Sequence, residues 1–149
     1  MQKRNLFDYL HSLFGKKKAS KSYPLRLNQE DIEMIKARLL ELMEHQKPYL
    51  RKGYHISNLA EDLGIPTHLL SAFINQVFGI HFSDYMNKKR ISYCLELIRA
   101  DRNGKTDLNE LSQKCGFNNR NSFTAAFRKF TGQNPFEYIR EKNQRDKSA

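Results

Sequence analysis

The sequence predicts an all-α protein in which two tandem helix-turn-helix subdomains are joined by a long connecting helix. Three observations predict it. Apolar residues recur at helical spacing along nearly the whole 149-residue chain, and no stretch sustains strand-like alternation. Two segments, ISNLAEDLGIPTHLLSAFINQVFGIHFSDYM (56–86) and DLNELSQKCGFNNRNSFTAAFRKFTGQNPFEYI (107–139), repeat one another. Between them runs one amphipathic pattern long enough for a single helix. A chain of this length is about one domain with an appendage.

Residues 5–14 (NLFDYLHSLF) place Leu6, Phe7, Leu10, Leu13 and Phe14 on one helical face, and GKKKASKS then reads as a basic linker. Together they form a basic N-terminal segment, 1–27. A preceding helix and connector occupy 28–54. Asn28 is placed to cap this helix, Glu30, Asp31 and Glu33 suit its first turn, and Ile32, Ile35, Leu39, Leu42 and Met43 form a stripe that ends before Pro48. The stripe is too short for a coiled coil and is expected to pack on the domain C-terminal to it.

The duplicated domain spans 55–142. Leu59, Leu63, Gly64 and Ile65 match Leu111, Cys115, Gly116 and Phe117 at an offset of 52. After the turn the offset is 53, pairing Leu70, Ile74, Val77, Gly79 and Tyr85 with Phe123, Phe127, Phe130, Gly132 and Tyr138. One residue is therefore inserted in the second turn. Each copy reads as a short helix, a tight turn and a longer helix. Gly64 and Gly116 supply the left-handed backbone that a steep crossing needs, and Ile65 and Phe117 plug the corner. Ser83 and Asp84 are expected to cap the connecting helix, which runs to about Ala100 with Ile91, Cys94, Leu95 and Ile98 inward. Residues 143–149 read as a polar tail.

The longer helices turn Leu70, Phe73, Ile74 and Val77, or Phe123, Ala126, Phe127 and Phe130, toward the core. They leave outside Thr67, His68, Ser71, Ala72 and Asn75 in the first copy, and Arg120, Asn121, Thr124, Ala125 and Arg128 in the second. Small hydrogen-bonding side chains with an arginine near the helix start suit the major groove of double-stranded DNA, where arginine pairs with guanine and asparagine with adenine. One such face alone is more often a solvated surface; two in register behind equivalent turns point to base reading. A connecting helix of eighteen residues, roughly 27 Å long, suits reading helices about one DNA turn apart, near 34 Å. Along it, Lys88, Lys89 and Arg90 are candidates for phosphate contact or for a solvated face.

Charge agrees with a polyanionic partner. The formal net charge is +10 and the pI about 9.7. Residues 1–26 carry seven Lys or Arg against one acid, and residues 105–149 nine against five, so the excess lies at the ends. Cys94 and Cys115 lack a CxxC spacing and read as core thiols in a reducing compartment. His11, His45, His55, His68 and His81 are scattered, with no poised nucleophile, paired carboxylates or glycine-rich phosphate loop beside them. No catalysis, cofactor or metal is expected. No apolar run reaches the length of a membrane span.

Residues 56–141 resemble the DNA-binding domain of the AraC/XylS family of bacterial transcription regulators. The resemblance rests on L-x3-CGF-x5-F-x3-F-x4-G-x2-P-x2-Y over 111–138 and covers rather more than half of the chain. It implies a seven-helix, homeodomain-like domain that binds degenerate promoter sites and usually activates transcription in the cytoplasm, with RNA polymerase as a partner. Many members carry basic residues where this chain has Ala72, Asn75 and Ala125. The first reading helix has no Lys or Arg at all, so the first subdomain is expected to bind weakly and the second to dominate.

Residues 28–55, with the motif EHQKPYL, are similar to the segment ahead of this domain in Bacteroidetes-type regulators, where it often follows a membrane-embedded or periplasmic sensor. The residues ahead of the duplicated domain are too few for a ligand-binding domain, which leaves a stand-alone regulator or part of a longer chain. Residues 1–27 also suit a membrane surface or a sensor connection, or a basic tail that adds non-specific DNA affinity. A helix-turn-helix module that binds protein is the alternative function.

Overall fold

Helical spacing in the sequence becomes helix across the described residues. In a computed structural model that describes residues 26–148, all regular structure is seven α-helices and one short 3-10 turn, with no strand among the described residues. The helix expected over 5–14 and its basic linker lie outside them. The described chain forms two compact units, one of residues 26–46 and Tyr54–Phe82, the other of Lys47–Gly53 and 83–148.

The first unit holds α1 (Gln29–His45), α2 (Ile56–Leu63) and α3 (Thr67–Phe78). Asn28 starts α1: its side-chain oxygen accepts the Asp31 N–H at 2.8 Å, satisfying one of the helix's orphan donors. Ile35, Leu39, Leu42 and Met43 are buried and Ile32 half-buried, so the expected stripe packs on α2 and α3. A second tie precedes α1. The Leu27 N–H donates to the Gln76 side-chain oxygen at 2.9 Å, and the Gln76 amide returns a bond to the Leu27 carbonyl at 3.2 Å.

At the α2–α3 corner Gly64 has φ +65° and Ile65 is buried. Leu69, Leu70, Phe73 and Ile74 fill the core, and Val77 is half-buried. Leu69, fully buried, belongs to the inward set beside the four residues that periodicity selects.

The second unit holds α4 (Phe82–Ala100), α5 (Leu108–Lys114), α6 (Arg120–Thr131), α7 (Pro135–Ser148) and the 3-10 turn Pro48–Leu50. Ile91, Cys94 and Ile98 of α4 meet Leu111, Phe117, Phe123, Phe127 and Ile139 in one core, with Leu95 and Phe130 partly buried against it. Edge-on rings run through this core. Phe117–Phe123 centroids are 5.4 Å apart, Phe123–Phe127 5.7 Å and Phe127–Tyr138 5.5 Å, the spacing aromatic pairs favour. Both cysteines are free and buried, as core thiols should be. A hydrogen bond with Cys115, reinforced by burial, pushes the Cys94 thiol up.

Two expectations are corrected. α4 begins at Phe82, so Ser83 and Asp84 lie within its first turn rather than ahead of it; Asp84 instead pairs with Lys129 of α6 at 2.7 Å. Residues 143–148 continue α7. Tertiary bonds are made where this stretch begins: Lys142 donates to the Asp101 carbonyl, and the Asn143 amide to the Gly104 carbonyl at 3.2 Å.

Candidate nucleic-acid interface

The start of the longer helix differs between the two copies. Asn119 sits where the first copy has Pro66, and its side-chain oxygen accepts the Ser122 N–H at 2.8 Å, whereas Pro66 makes no side-chain cap. The sequence signal is a polar cap residue just before an amphipathic run. Behind these caps the two longer helices are equivalent, each of 12 residues and each ending at a glycine.

Thr67, His68, Ser71 and Asn75 are exposed and Ala72 is half-buried, all on the face of α3 opposite Leu70, Phe73 and Ile74. On α6, Arg120, Asn121, Ala125 and Arg128 are exposed and Thr124 is half-buried, opposite Phe123, Ala126 and Phe127. Every predicted reading residue therefore shares one face of its own helix. The register is the same in both, since Thr67, His68, Ser71, Ala72 and Asn75 correspond position by position to Arg120, Asn121, Thr124, Ala125 and Arg128.

The basic groups of the second unit divide by partner. Lys129 is held by Asp84. Arg120 and Arg128 make no ion pair among the described residues. Arg120 opens α6, where the positive end of the helix disfavours a cation. An external anion removes that cost, and phosphate or the acceptor edge of guanine is such a group.

Arg90, a candidate phosphate contact in the sequence, is turned inward. Its Nε donates to the Tyr49 carbonyl at 2.6 Å, its Nη1 donates to the Asn87 side-chain oxygen at 3.1 Å, and its guanidinium lies 5.5 Å from the Phe117 ring centre. Burial pulls its pKa below the usual guanidinium range. Asn87 is one helical turn away, but Tyr49 and Phe117 are distant in the chain, so no local pattern signals this role. Lys88 stays exposed, and Lys89 lies 6.0 Å from the Tyr85 ring centre.

No group of three His, Cys, Asp or Glu among the described residues is placed to hold a metal ion. No helix among them is long and apolar enough to cross a membrane.

Two crossed helix pairs with outward polar faces define a double helix-turn-helix protein. A family model described as a helix-turn-helix domain matches residues 59–141, and the chain belongs to this AraC-type helix-turn-helix family. It is 25% identical over 111 residues to the probable transcriptional regulator LumQ of Photobacterium leiognathi, covering 74% of this chain and 43% of that protein. It is 28% identical over 98 residues to the virulence regulon transcriptional activator VirF of Yersinia enterocolitica, covering 66% of this chain and 34% of the relative. The chain thus spans less than half the length of these relatives. Among solved structures, the DNA-binding domain of the global transcriptional factor AdpA, in complex with a target DNA, shares the fold. The TM-score is 0.62 at 16% identity, covering 74% of this chain and 94% of that one.

Proposed function

We propose that the protein binds double-stranded DNA sequence-specifically and regulates bacterial transcription, with α3 and α6 entering successive major grooves. The observation that carries this reading is the matched pair of outward faces in equivalent register, one bearing Arg120 and Arg128, which make no ion pair among the described residues. The length of α4, 19 residues or roughly 28 Å, suits heads one DNA turn apart. The role is binding rather than catalysis, and its setting is the bacterial cytoplasm. RNA polymerase is the protein partner that the family resemblance implies, in keeping with activation.

Within this reading the heads are unequal. Arg120, Asn121, Thr124, Ala125 and Arg128 supply the stronger contacts; Thr67, His68, Ser71, Ala72 and Asn75 read without a cation. Arg120→Ala is expected to weaken binding to a duplex recovered by selection by about 1–3 kcal/mol and to relax specificity at one base pair. Ser71→Ala is expected to change it little. Titration of both variants against that duplex and a scrambled one tests the asymmetry, and equal losses contradict it. A protein-interaction module has no reason to prefer one duplex over the other.

A further inference from the structure

The segment Lys47–Gly53 lies between α1 and α2 in the chain yet packs in the second unit. It carries most of the motif EHQKPYL, which the reading helices leave without a role. Its conformation is specific. Lys47 adopts φ +46°, unusual for a residue with a side chain, and Pro48–Leu50 forms the 3-10 turn with Pro48 and Tyr49 buried. Tyr49 meets the Tyr93 ring edge-on at 6.4 Å, and the Lys47 ammonium lies 4.9 Å from the same ring centre.

This turn lies against the corner of the second helix-turn-helix. At Gly116 a Cβ would come within 2.7 Å of the Tyr49 carbonyl oxygen and 2.8 Å of the Leu50 Cα. Arg90 closes the arrangement from α4: the guanidinium that bonds the Tyr49 carbonyl also lies over Phe117. Phe117 in turn packs on Phe123, the first buried residue of α6, three positions after Arg120.

We propose that Arg90 is a positioning residue for the second reading head: it holds the Pro48–Leu50 turn against the Gly116–Phe117 corner and so fixes the entry of α6, without itself touching nucleic acid. Its half-buried guanidinium faces a carbonyl, an amide oxygen and an aromatic ring. No carboxylate pairs with it among the described residues, so its planar donors are used for geometry rather than charge balance. The inference rests on the DNA-binding reading and assigns it a residue outside both reading faces.

Charge and geometry are separated by comparing Arg90→Lys with Arg90→Gln. Duplexes recovered from a random pool by the unmodified protein are titrated across a salt series, beside a scrambled duplex of the same composition. Positioning predicts that both variants lose about tenfold on the recovered duplex, the scale of one charge-assisted hydrogen bond. It also predicts an unchanged salt slope and unchanged scrambled-duplex affinity, because lysine keeps the charge but not the fork.

A phosphate contact predicts the reverse: lysine restores binding, and glutamine lowers the salt slope by about one and weakens both duplexes alike. That result, or no loss in either variant, overturns the inference. If both variants lose their helical circular dichroism, Asn87→Ala, which removes only one of the two bonds, decides. A selective loss of about threefold at constant slope supports positioning, and unchanged selectivity overturns it. If the unmodified protein selects no sequence, the functional reading itself fails and takes this inference with it; if it selects one and the variants match it, the positioning role alone fails.

Discussion

Replacing Gly116 with alanine is expected to destabilise the protein by about 2–6 kcal/mol, adding a strained backbone to an overpacked contact. Its φ of +81° is disfavoured for an L side chain. The new methyl would also meet the Tyr49 carbonyl at 2.7 Å and the Leu50 Cα at 2.8 Å. These are backbone atoms held by Arg90 and by the 3-10 turn, so they yield only with the corner itself. Gly64, its counterpart in the first repeat, has φ +65° but nothing within 4 Å of the place a methyl would take. Gly64→Ala should therefore cost only about 1–2 kcal/mol, the conformational part alone. Chemical denaturation of the two variants checks the contrast. Similar losses would mean that the Pro48–Leu50 turn does not bear on the second corner.

Cutting Phe127 to alanine is the other large effect, about 3–5 kcal/mol. The side chain is fully buried, lies edge-on to Phe123 at 5.7 Å and Tyr138 at 5.5 Å, and sits in the core that α4, α5, α6 and α7 share. Removing it opens a cavity bounded by other aromatic rings, which cannot collapse without moving a helix. Phe127→Leu keeps most of the volume and should cost less than about 1.5 kcal/mol. Against a typical domain stability of about 5–15 kcal/mol, the alanine variant should melt much earlier. A loss below about 1 kcal/mol would show that the second core is looser than its packing implies.

These sites also mark where the sequence is informative and where it is silent. Period and punctuation determine most of the fold. Asn28 caps α1, Gly64 and Gly116 turn left-handed, and Leu59, Phe73, Phe117 and Phe127 point inward as their spacing demands. The reading faces follow from the same periodicity, because the positions opposite a buried stripe must face out. Long-range pairings leave no such trace. Asp84 looks like a cap beside Ser83 because acidic residues favour helix starts, yet its partner is Lys129, 45 positions away. Arg90 sits in a run of three basic residues that resembles a phosphate contact; only folding brings it to Tyr49 and Phe117. The end of α7 reads as a polar tail because it has no apolar stripe of its own; the bonds to the Asp101 and Gly104 carbonyls are made by Lys142 and Asn143, where it begins.

The proposed function requires that two equivalent helices in one chain read DNA. Selection of duplexes from a random pool, with the binding of the recovered sequences followed against salt, tests it most directly. Two unequal heads predict a recovered motif with one strongly and one weakly specified block, centred about one helical turn apart, and an affinity that falls steeply with salt while the preference survives. A pool that returns no enriched sequence, or a basic chain that binds every duplex alike, would contradict it.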